Sequence, residues 1–276
     1  MFLIIGIAYA CAIFAISYRE RDAFRAEEGN LFLLAPSEVI VFILCSFGMP
    51  DYLLHTIEGK AMGILDDKRI PPTLVASCIV PGAILAFLML RSEQTADLLT
   101  LVILAVTVAA GSYTGSLFVS RLDGSSIRKF IIIALILSLV VIVIRIVISG
   151  GEPGTLSSIR GIRLAVIGAL CFGSGFVNMF GIPMKPAWTA MFLIAGMSPI
   201  STLSAVLIVG CVSPMAGGVN VLRNGGYNMK MVFASTLFGS IGALIGISIA
   251  LSLPASVLNI LLIAIVLIAI GFMIRK

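Results

Sequence analysis

Three ionisable residues, His55, Glu58 and Lys185, lie within or beside apolar stretches, where a charge is costly and therefore suggests a function. His55 and Glu58 are three residues apart, so they share one face of a helix. An imidazole titrates near neutral pH, which makes this pair a candidate for proton coupling. Lys185 could attract an anion, or its flexible stem could carry the ammonium to the cytoplasmic surface. These alternatives for Lys185 stay open at the level of sequence.

Two Gly-x-Pro sequences each end a full-length apolar segment and begin a short one. They are Gly48-Met49-Pro50 and Gly181-Ile182-Pro183. Proline fits the first turn of a helix, and glycine permits a tight reversal before it. The free N–H groups at a helix start carry partial positive charge and bind anions. Two such starts near the middle of a membrane would form an anion site; the alternative is that both sequences only make turns.

The candidate substrate-binding residues are Gly48, Pro50, His55, Asn178, Gly181, Pro183, Lys185 and Trp188. Asn178 precedes the second turn, although an amide in a membrane helix often only bonds a neighbouring helix. Trp188 stands as far beyond the second turn as His55 stands beyond the first, so the predicted site is asymmetric. With one histidine and five cysteines scattered without a Cys-x-x-Cys pair, the sequence predicts no metal site and no cofactor.

The composition places these residues in a membrane protein. The 276 residues are 60% hydrophobic and 11% charged, and the mean hydropathy is +1.18. A soluble domain would carry about 25% charged residues. The formal net charge of +5 comes from lysines and arginines in short loops rather than on one basic face, which argues against nucleic-acid binding.

The sequence predicts an all-α, polytopic helical bundle with eleven apolar segments. They cover residues 2–17, 31–48, 51–65, 70–90, 96–120, 127–149, 161–179, 184–196, 200–222, 228–251 and 255–274. Segments 51–65 and 184–196 are too short for a comfortable crossing. If the N-terminus is outside and the segments alternate, 14 Lys and Arg residues fall on the cytoplasmic side and three outside. The positive-inside rule therefore predicts a cytoplasmic C-terminus in a cell membrane.

An internal repeat predicts two related halves. At an offset of 133 in the numbering, Phe47-Gly48-Met49-Pro50 matches Phe180-Gly181-Ile182-Pro183, and the matches continue without a gap to Pro81 and Pro214. Each half holds five segments, and because five is odd the second copy must be inverted. The expected organisation is an N-terminal helix and loop (1–30), a first repeat (31–150) and a second repeat (160–276) in one membrane domain. Inverted repeats are a transporter architecture.

The chain resembles the TauE/SafE family of sulfite and organosulfur anion permeases. Three stretches carry the resemblance, which extends over residues 36–276: 47–74, 111–122 and the glycine-rich sequence from 167 onward. It implies a secondary transporter of sulfite, thiosulfate, sulfonates or related anions. The two turns lack the glycine cluster that many members have, so the resemblance leaves the substrate open.

The leading hypothesis is a permease in the lipid bilayer that holds a small anion between the two Gly-x-Pro turns, with His55 and Glu58 as candidates for proton coupling. A passive channel or a non-transporting membrane component is the alternative, and homo-oligomerisation is left open. An intramembrane enzyme is a weaker alternative, because Asp51 is the one candidate for an aspartyl protease. Ser174 with His55 is the one plausible serine–histidine pair, and no nucleophile motif surrounds the serine.

Overall fold

The computed structural model describes residues 1–92, 95–119 and 154–254, with three further positions before residue 261. The predicted segment 127–149 and nearly all of 255–274 lie outside the described residues. The described part is helical and contains no β-strand; an isolated bridge joins Leu156 to Met197. The prediction of an all-α polytopic bundle is confirmed.

The described helices match the predicted segments within a few residues, except for the short helix α2, which no segment predicted. They are α1 (Phe2–Arg19), α2 (Arg21–Ala26), α3 (Leu31–Ser46), α4 (Asp51–Ala61), α5 (Ile70–Arg91), α6 (Leu98–Val119), α7 (Gly161–Asn178), α8 (Lys185–Ile194), α9 (Pro199–Asn224) and α10 (Met229–Ser252). Six of these helices are long and apolar enough to cross a membrane: α1, α5, α6, α7, α9 and α10.

Side-chain caps begin three of these helices. The side chains of Asn30, Ser198 and Asn228 accept hydrogen bonds from backbone N–H groups in the first turns of α3, α9 and α10, respectively. Prolines in the first turns of α5, α8 and α9 cost no hydrogen bond there. The apolar periods and the capping residues together explain why the predicted boundaries agree with the structure.

Loops gather at two ends of the bundle. At the first, which we call the Glu27 end, Arg69 donates two hydrogen bonds to the Glu27 carboxylate, and Asn228 donates to the carbonyl of Ile64. At the second, the Asp97 end, Arg160 pairs with Asp97 at 2.8 Å. The loop 154–160 also bonds the loop that follows α8. The positive-inside pattern predicts that the Glu27 end is cytoplasmic.

The long helices α5 and α9 run between these ends in opposite directions and are the most buried of the six long apolar helices. Thr73, near the start of α5, accepts from the N–H of Asn228, just beyond the end of α9. Ala96, just beyond the end of α5, donates to Ser204 near the start of α9. Residues 91–96 and 223–228 therefore lie at opposite ends, as the predicted alternation requires.

Two helical hairpins enter the bundle from opposite ends. Helices α3 and α4 form the hairpin that begins and ends at the Glu27 end, and α7 and α8 form the one at the Asp97 end. Helix α4 has 11 residues and α8 has 10, so they are about 16 Å and 15 Å long. Neither crosses a hydrocarbon core of about 30 Å alone, but end to end they would.

Close helix contacts recur at matching positions in the two halves. A Cβ atom at Gly111 in α6 would clash with the Phe172 carbonyl in α7, and one at Gly242 in α10 would clash with the Val39 carbonyl in α3. Phe172 and Val39 differ by the offset of 133, and the two glycines by 131. Small residues allow such approach between membrane helices. The inverted-repeat relation stays a prediction, which these contacts support.

Candidate functional site

The two short helices begin at the same place inside the bundle. The turn before α4 reverses at Gly48, whose φ is +89°, and the turn before α8 reverses at Gly181, whose φ is +81°. Only glycine adopts this left-handed backbone readily, as the sequence predicted. Pro50 is the N-cap of α4, and Pro183 lies one residue before the N-cap of α8.

An ion pair joins the two helix starts. Asp51 is the first residue of α4 and Lys185 the first of α8, and Lys185 Nζ lies 3.0 Å from Asp51 Oδ2. Lys185 is only 4% exposed and Asp51 7%. The interpretation that Lys185 reaches the cytoplasmic surface is therefore wrong. A buried ammonium needs a partner because the interior solvates charge poorly, and the carboxylate from the opposite hairpin supplies it.

The Asp51 carboxylate also accepts a hydrogen bond from the first turn of its own helix. Its Oδ1 accepts a hydrogen bond of 3.0 Å from the backbone N–H of Tyr52. The stem of Lys185 crosses the surface of α9 at Gly210, where an added Cβ would lie 3.1 Å from the lysine Cε. Asp51 thus makes the two kinds of contact, with an ammonium and a helix-start amide, that a bound anion would make.

A network of amide and hydroxyl groups lies beside this pair. The Asn178 amide donates to Ser213 Oγ at 2.8 Å and makes a longer contact, 3.4 Å, with Tyr52 Oη. The Ser213 hydroxyl also bonds Ser112 Oγ at 2.8 Å. These contacts connect α7, α4, α9 and α6, so Asn178 is within contact distance of the start of α4, as a residue of the predicted site should be.

A second cluster holds buried ionisable groups of the first hairpin. His55 Nε2 lies 3.1 Å from Glu38 Oε2, and His55 Nδ1 lies 2.9 Å from the carbonyl oxygen of Asp51. A carbonyl only accepts, so the hydrogen-bond geometry assigns the ring proton to Nδ1. In a neutral ring Nε2 would then be a bare acceptor that faces a carboxylate. A small cation, either a further proton or a metal ion, is therefore expected between Nε2 and Glu38 Oε2.

Glu58 completes this cluster. The ligand atoms of Glu38, His55 and Glu58 all lie within 4.8 Å of one another, close enough for one small cation, a proton or a metal ion, to be shared. Glu38 Oε1 and both carboxylate oxygens of Glu58 are buried without a hydrogen-bond partner within 3.5 Å, although the Ser37 hydroxyl is near enough to Glu58 to interact. Two buried carboxylates beside one imidazole leave negative charge that such a cation would neutralise.

The ionisable groups form a row along one face of α4. Asp51, His55 and Glu58 have the spacing i, i+4 and i+7, which places them on one side of the helix. Beyond them, Lys60 pairs with Asp67 at 3.0 Å on the exposed surface of the Glu27 end. The row therefore leads from the buried ion pair toward that surface, the arrangement that proton relays in membrane proteins use.

The corresponding positions of the second half carry no carboxylate and no imidazole. At the offset of 133, Glu38 matches Cys171, His55 matches Trp188, and Glu58 matches Met191. The indole N–H of Trp188 donates to Ser174 Oγ at 2.7 Å. Ser174 is thus bound to Trp188 while His55 is bound to Glu38 and to the Asp51 backbone, so Ser174 and His55 do not form a catalytic pair in the described structure.

Sequence reasoning missed two residues of the site. Glu38 lies inside the apolar run of α3, and a charged residue in such a run is a sequence signal that could have identified it. Asp51 was considered only as a candidate residue of an aspartyl protease. Nothing local in the sequence pairs it with Lys185, because Lys185 lies in the other half of the chain. The other predicted residues, from Gly48 to Trp188, lie in the two hairpins, and anion binding by them stays a prediction.

Comparison with known proteins places this architecture in a family. No curated protein and no solved structure matches the chain. The family model described as sulfite exporter TauE/SafE matches residues 67–273, about three quarters of the chain. Lys185 lies within the matched span, whereas Glu38, Asp51, His55 and Glu58 precede it. Because the family model matches well over half of the chain, the chain belongs to the sulfite exporter TauE/SafE family, a family of membrane transporters.

Proposed function

We propose that this protein is a secondary transporter that carries a small sulfur-containing oxyanion, such as sulfite, thiosulfate or a sulfonate, past the meeting point of its two short helices. The observation that carries the proposal is the buried ammonium of Lys185 at the start of α8, facing the start of α4. A cation at this depth is costly and is therefore a functional feature by default. Membership of a transporter family supports the same function.

The surroundings of Lys185 suit a small oxyanion. An ammonium is a compact point charge that binds sulfur oxyanions as it binds phosphate. The Asn178 amide and the Ser213 hydroxyl, which contact the start of α4 or its neighbours, offer further donors to the other oxygens of the anion. The free N–H groups of the two helix starts add partial positive charge. Together these groups favour an anion over a neutral or cationic solute.

Proton coupling is the finer part of the proposal. His55 and Glu58, the predicted coupling residues, lie with Glu38 between the Asp51–Lys185 pair and the Glu27 end. A proton shared between His55 and Glu38 can be exchanged along this row. A passive channel would need an open polar path through the bundle, whereas here a buried ion pair fills the point where the two hairpins meet. The geometry therefore favours a carrier.

Uptake into liposomes tests the proposal. Purified protein should accumulate radiolabelled sulfite or thiosulfate, and a proton gradient should change the rate. Lys185→Ala should reduce anion uptake at least tenfold, because it removes the buried cation. The matched control is Lys230→Ala, since Lys230 bonds backbone carbonyls of Arg25 and Glu27 at the Glu27 end. Equal effects of the two substitutions would remove Lys185 from the site, and no uptake of any tested anion would refute the transporter function.

The proposed orientation has the N-terminus outside and the C-terminus in the cytoplasm. It follows from the distribution of lysines and arginines, which places the Glu27 end inside. Single cysteines introduced at exposed positions of the two ends, in a cysteine-free background, test it by labelling with a membrane-impermeant thiol reagent. Labelling of the Glu27 end in intact cells would contradict the orientation.

A further inference from the structure

We infer that Asp51 is an internal competitor of the transported anion: its carboxylate occupies the anion site on Lys185 and leaves when it takes up a proton. This inference rests on the proposed function and deepens it. At the level of sequence, Asp51 was a candidate only for a protease, and this inference gives it a role in transport. Protonation of Asp51 is the event that exchanges the protein's own carboxylate for the anion.

The contacts of Asp51 are those of a bound anion. One carboxylate oxygen lies 3.0 Å from the Lys185 ammonium, and the other accepts from the first backbone N–H of α4 that follows it, that of Tyr52. Both donors belong to the helix starts that would hold the substrate. An oxyanion cannot take the single Tyr52 N–H while Asp51 accepts from it, and the one ammonium charge would have to serve two negative groups.

Charge balance requires the exchange to include a proton. The Asp51–Lys185 pair is neutral, and a monoanion added to it would leave one uncompensated negative charge in the interior. When the carboxylate binds a proton and becomes a carboxylic acid, the anion takes its place on the ammonium. Net charge is then unchanged: one proton and one anion enter together, and no covalent bond other than the O–H bond forms.

Several groups face Asp51, and the row on α4 offers a path by which a proton reaches it. The cation Lys185 comes from α8, the thiols of Cys45 and Cys78 from α3 and α5, and the Tyr52 phenol from α4 itself. The thiols and the phenol lie in a desolvated interior, where their anions are disfavoured. His55 bonds the Asp51 backbone carbonyl and continues through Glu38 and Glu58 toward the Glu27 end.

Proton uptake during anion binding tests the inference. Methanesulfonate is a monoanion and thiosulfate a dianion near neutral pH, and neither changes its charge there, so any proton exchanged belongs to the protein. Titration calorimetry of the full chain in detergent, in two buffers of different ionisation enthalpy, should give about one proton taken up per methanesulfonate. Affinity should strengthen about tenfold for each unit of falling pH, as linkage to one proton requires. Anion binding by the wild-type protein without proton uptake would overturn the inference.

Variants assign the proton to Asp51. Asp51→Asn should bind the anion with no net proton uptake and with pH-independent affinity. Asp97→Asn is the control, because Asp97 also pairs with a cation near a helix start, at the Asp97 end. This variant should keep the wild-type proton uptake. Asp51→Asn with undiminished proton uptake would contradict the assignment.

A second set of variants separates this inference from the proposed function. Lys185→Met should abolish anion binding. The double variant, Asp51→Asn with Lys185→Met, should also lose binding, and it is expected to fold because it leaves no unpaired buried charge. If these variants still bind the anion, or if the wild-type protein binds neither probe, the proposed site fails and the inference fails with it. If they lose binding while Asp51→Asn keeps its proton uptake, only the inference fails.

Discussion

Trp188 occupies the position in the second half that matches His55 in the first, and it replaces a titratable ring by one that is permanently neutral. Its indole N–H donates to Ser174, whereas the His55 imidazole bonds Glu38 and the Asp51 backbone. The ionisable row is therefore confined to one hairpin. Two hairpins of matching form thus have different chemistry, and proton exchange is expected from the Glu27 end alone.

His55→Gln should abolish the response of transport to a proton gradient. Glutamine has a similar size and can bond the Asp51 carbonyl, but it cannot take up a proton. A gradient of one pH unit should stimulate wild-type initial uptake by up to about tenfold and leave the variant unchanged. Thiosulfate uptake into liposomes measures both. Anion exchange without a gradient should persist in the variant.

Thr56→Ala is the matched control, because Thr56 is the next residue of α4 and its hydroxyl donates to the Tyr52 carbonyl of its own helix. It should keep the wild-type gradient response. Loss of uptake on chelation of metal ions, with recovery when zinc is returned, would instead assign the cluster of Glu38, His55 and Glu58 to a metal ion and would contradict the proton role.

Asn178→Ala should weaken both stability and anion binding. It leaves the buried hydroxyls of Ser213 and Tyr52 without their amide donor, which costs about 1–3 kcal/mol of unfolding free energy. The melting temperature in detergent and the dissociation constant for thiosulfate measure the two effects. Asn220→Ala removes a comparable amide–hydroxyl bond, to Ser116, at a part-buried position. It should lower stability without a change in affinity, and equal losses of affinity would exclude Asn178 from the site.

Gly111→Ala should destabilise the protein by about 1–3 kcal/mol, because the added methyl would clash with the Phe172 carbonyl and separate α6 from α7. Gly173→Ala is the control within α7, since its added methyl would meet no atom within 4 Å. That change should be neutral or slightly stabilising because alanine favours helix. Thermal unfolding in detergent compares the two variants. Equal melting temperatures would mean that α6 and α7 are not in close contact.

The pair of Asp97 and Arg160 should contribute stability that depends on pH. Hydrogen bonds from Arg160, and then from the Thr100 backbone N–H, lower the pKa of Asp97 to about 2. A carboxyl group whose pKa is lower in the folded protein stabilises the fold at pH values above its pKa in the unfolded chain, which is about 3.9. This stabilisation is lost as the pH falls toward 2. The difference in melting temperature between wild type and Arg160→Gln should therefore be constant near neutral pH and shrink below about pH 4. A difference that grows on acidification would contradict this.

Most of the fold follows from the sequence because a membrane imposes few choices. An apolar run such as Leu98–Val119 can only be a helix when no water is available to its backbone, and caps such as Asn30 mark where helices begin. The two Gly-x-Pro turns also follow from local chemistry, since glycine and proline each require a particular backbone. These features depend on residues close together in the chain.

The site was harder to predict because its main contact joins distant residues. Asp51 and Lys185 come from different hairpins, and only the relation between the two halves brings them together. At the offset of 133, Asp51 matches Met184, the neighbour of Lys185. Residues near a two-fold axis meet their own counterparts, so an inverted repeat would predict this contact. Glu38 was overlooked for another reason: a single acid in an apolar run changes the average hydropathy very little.

The head-to-head arrangement of α4 and α8 has an electrical consequence. With lengths of about 16 Å and 15 Å, the two helices place the Asp51–Lys185 pair near half the depth of the membrane. A single charge moved to that depth would exchange about 1.2 kcal/mol with a membrane potential of about 100 mV, half of the full value. The pair has no net charge, so moving it as a unit through the membrane would exchange no energy with the cell voltage.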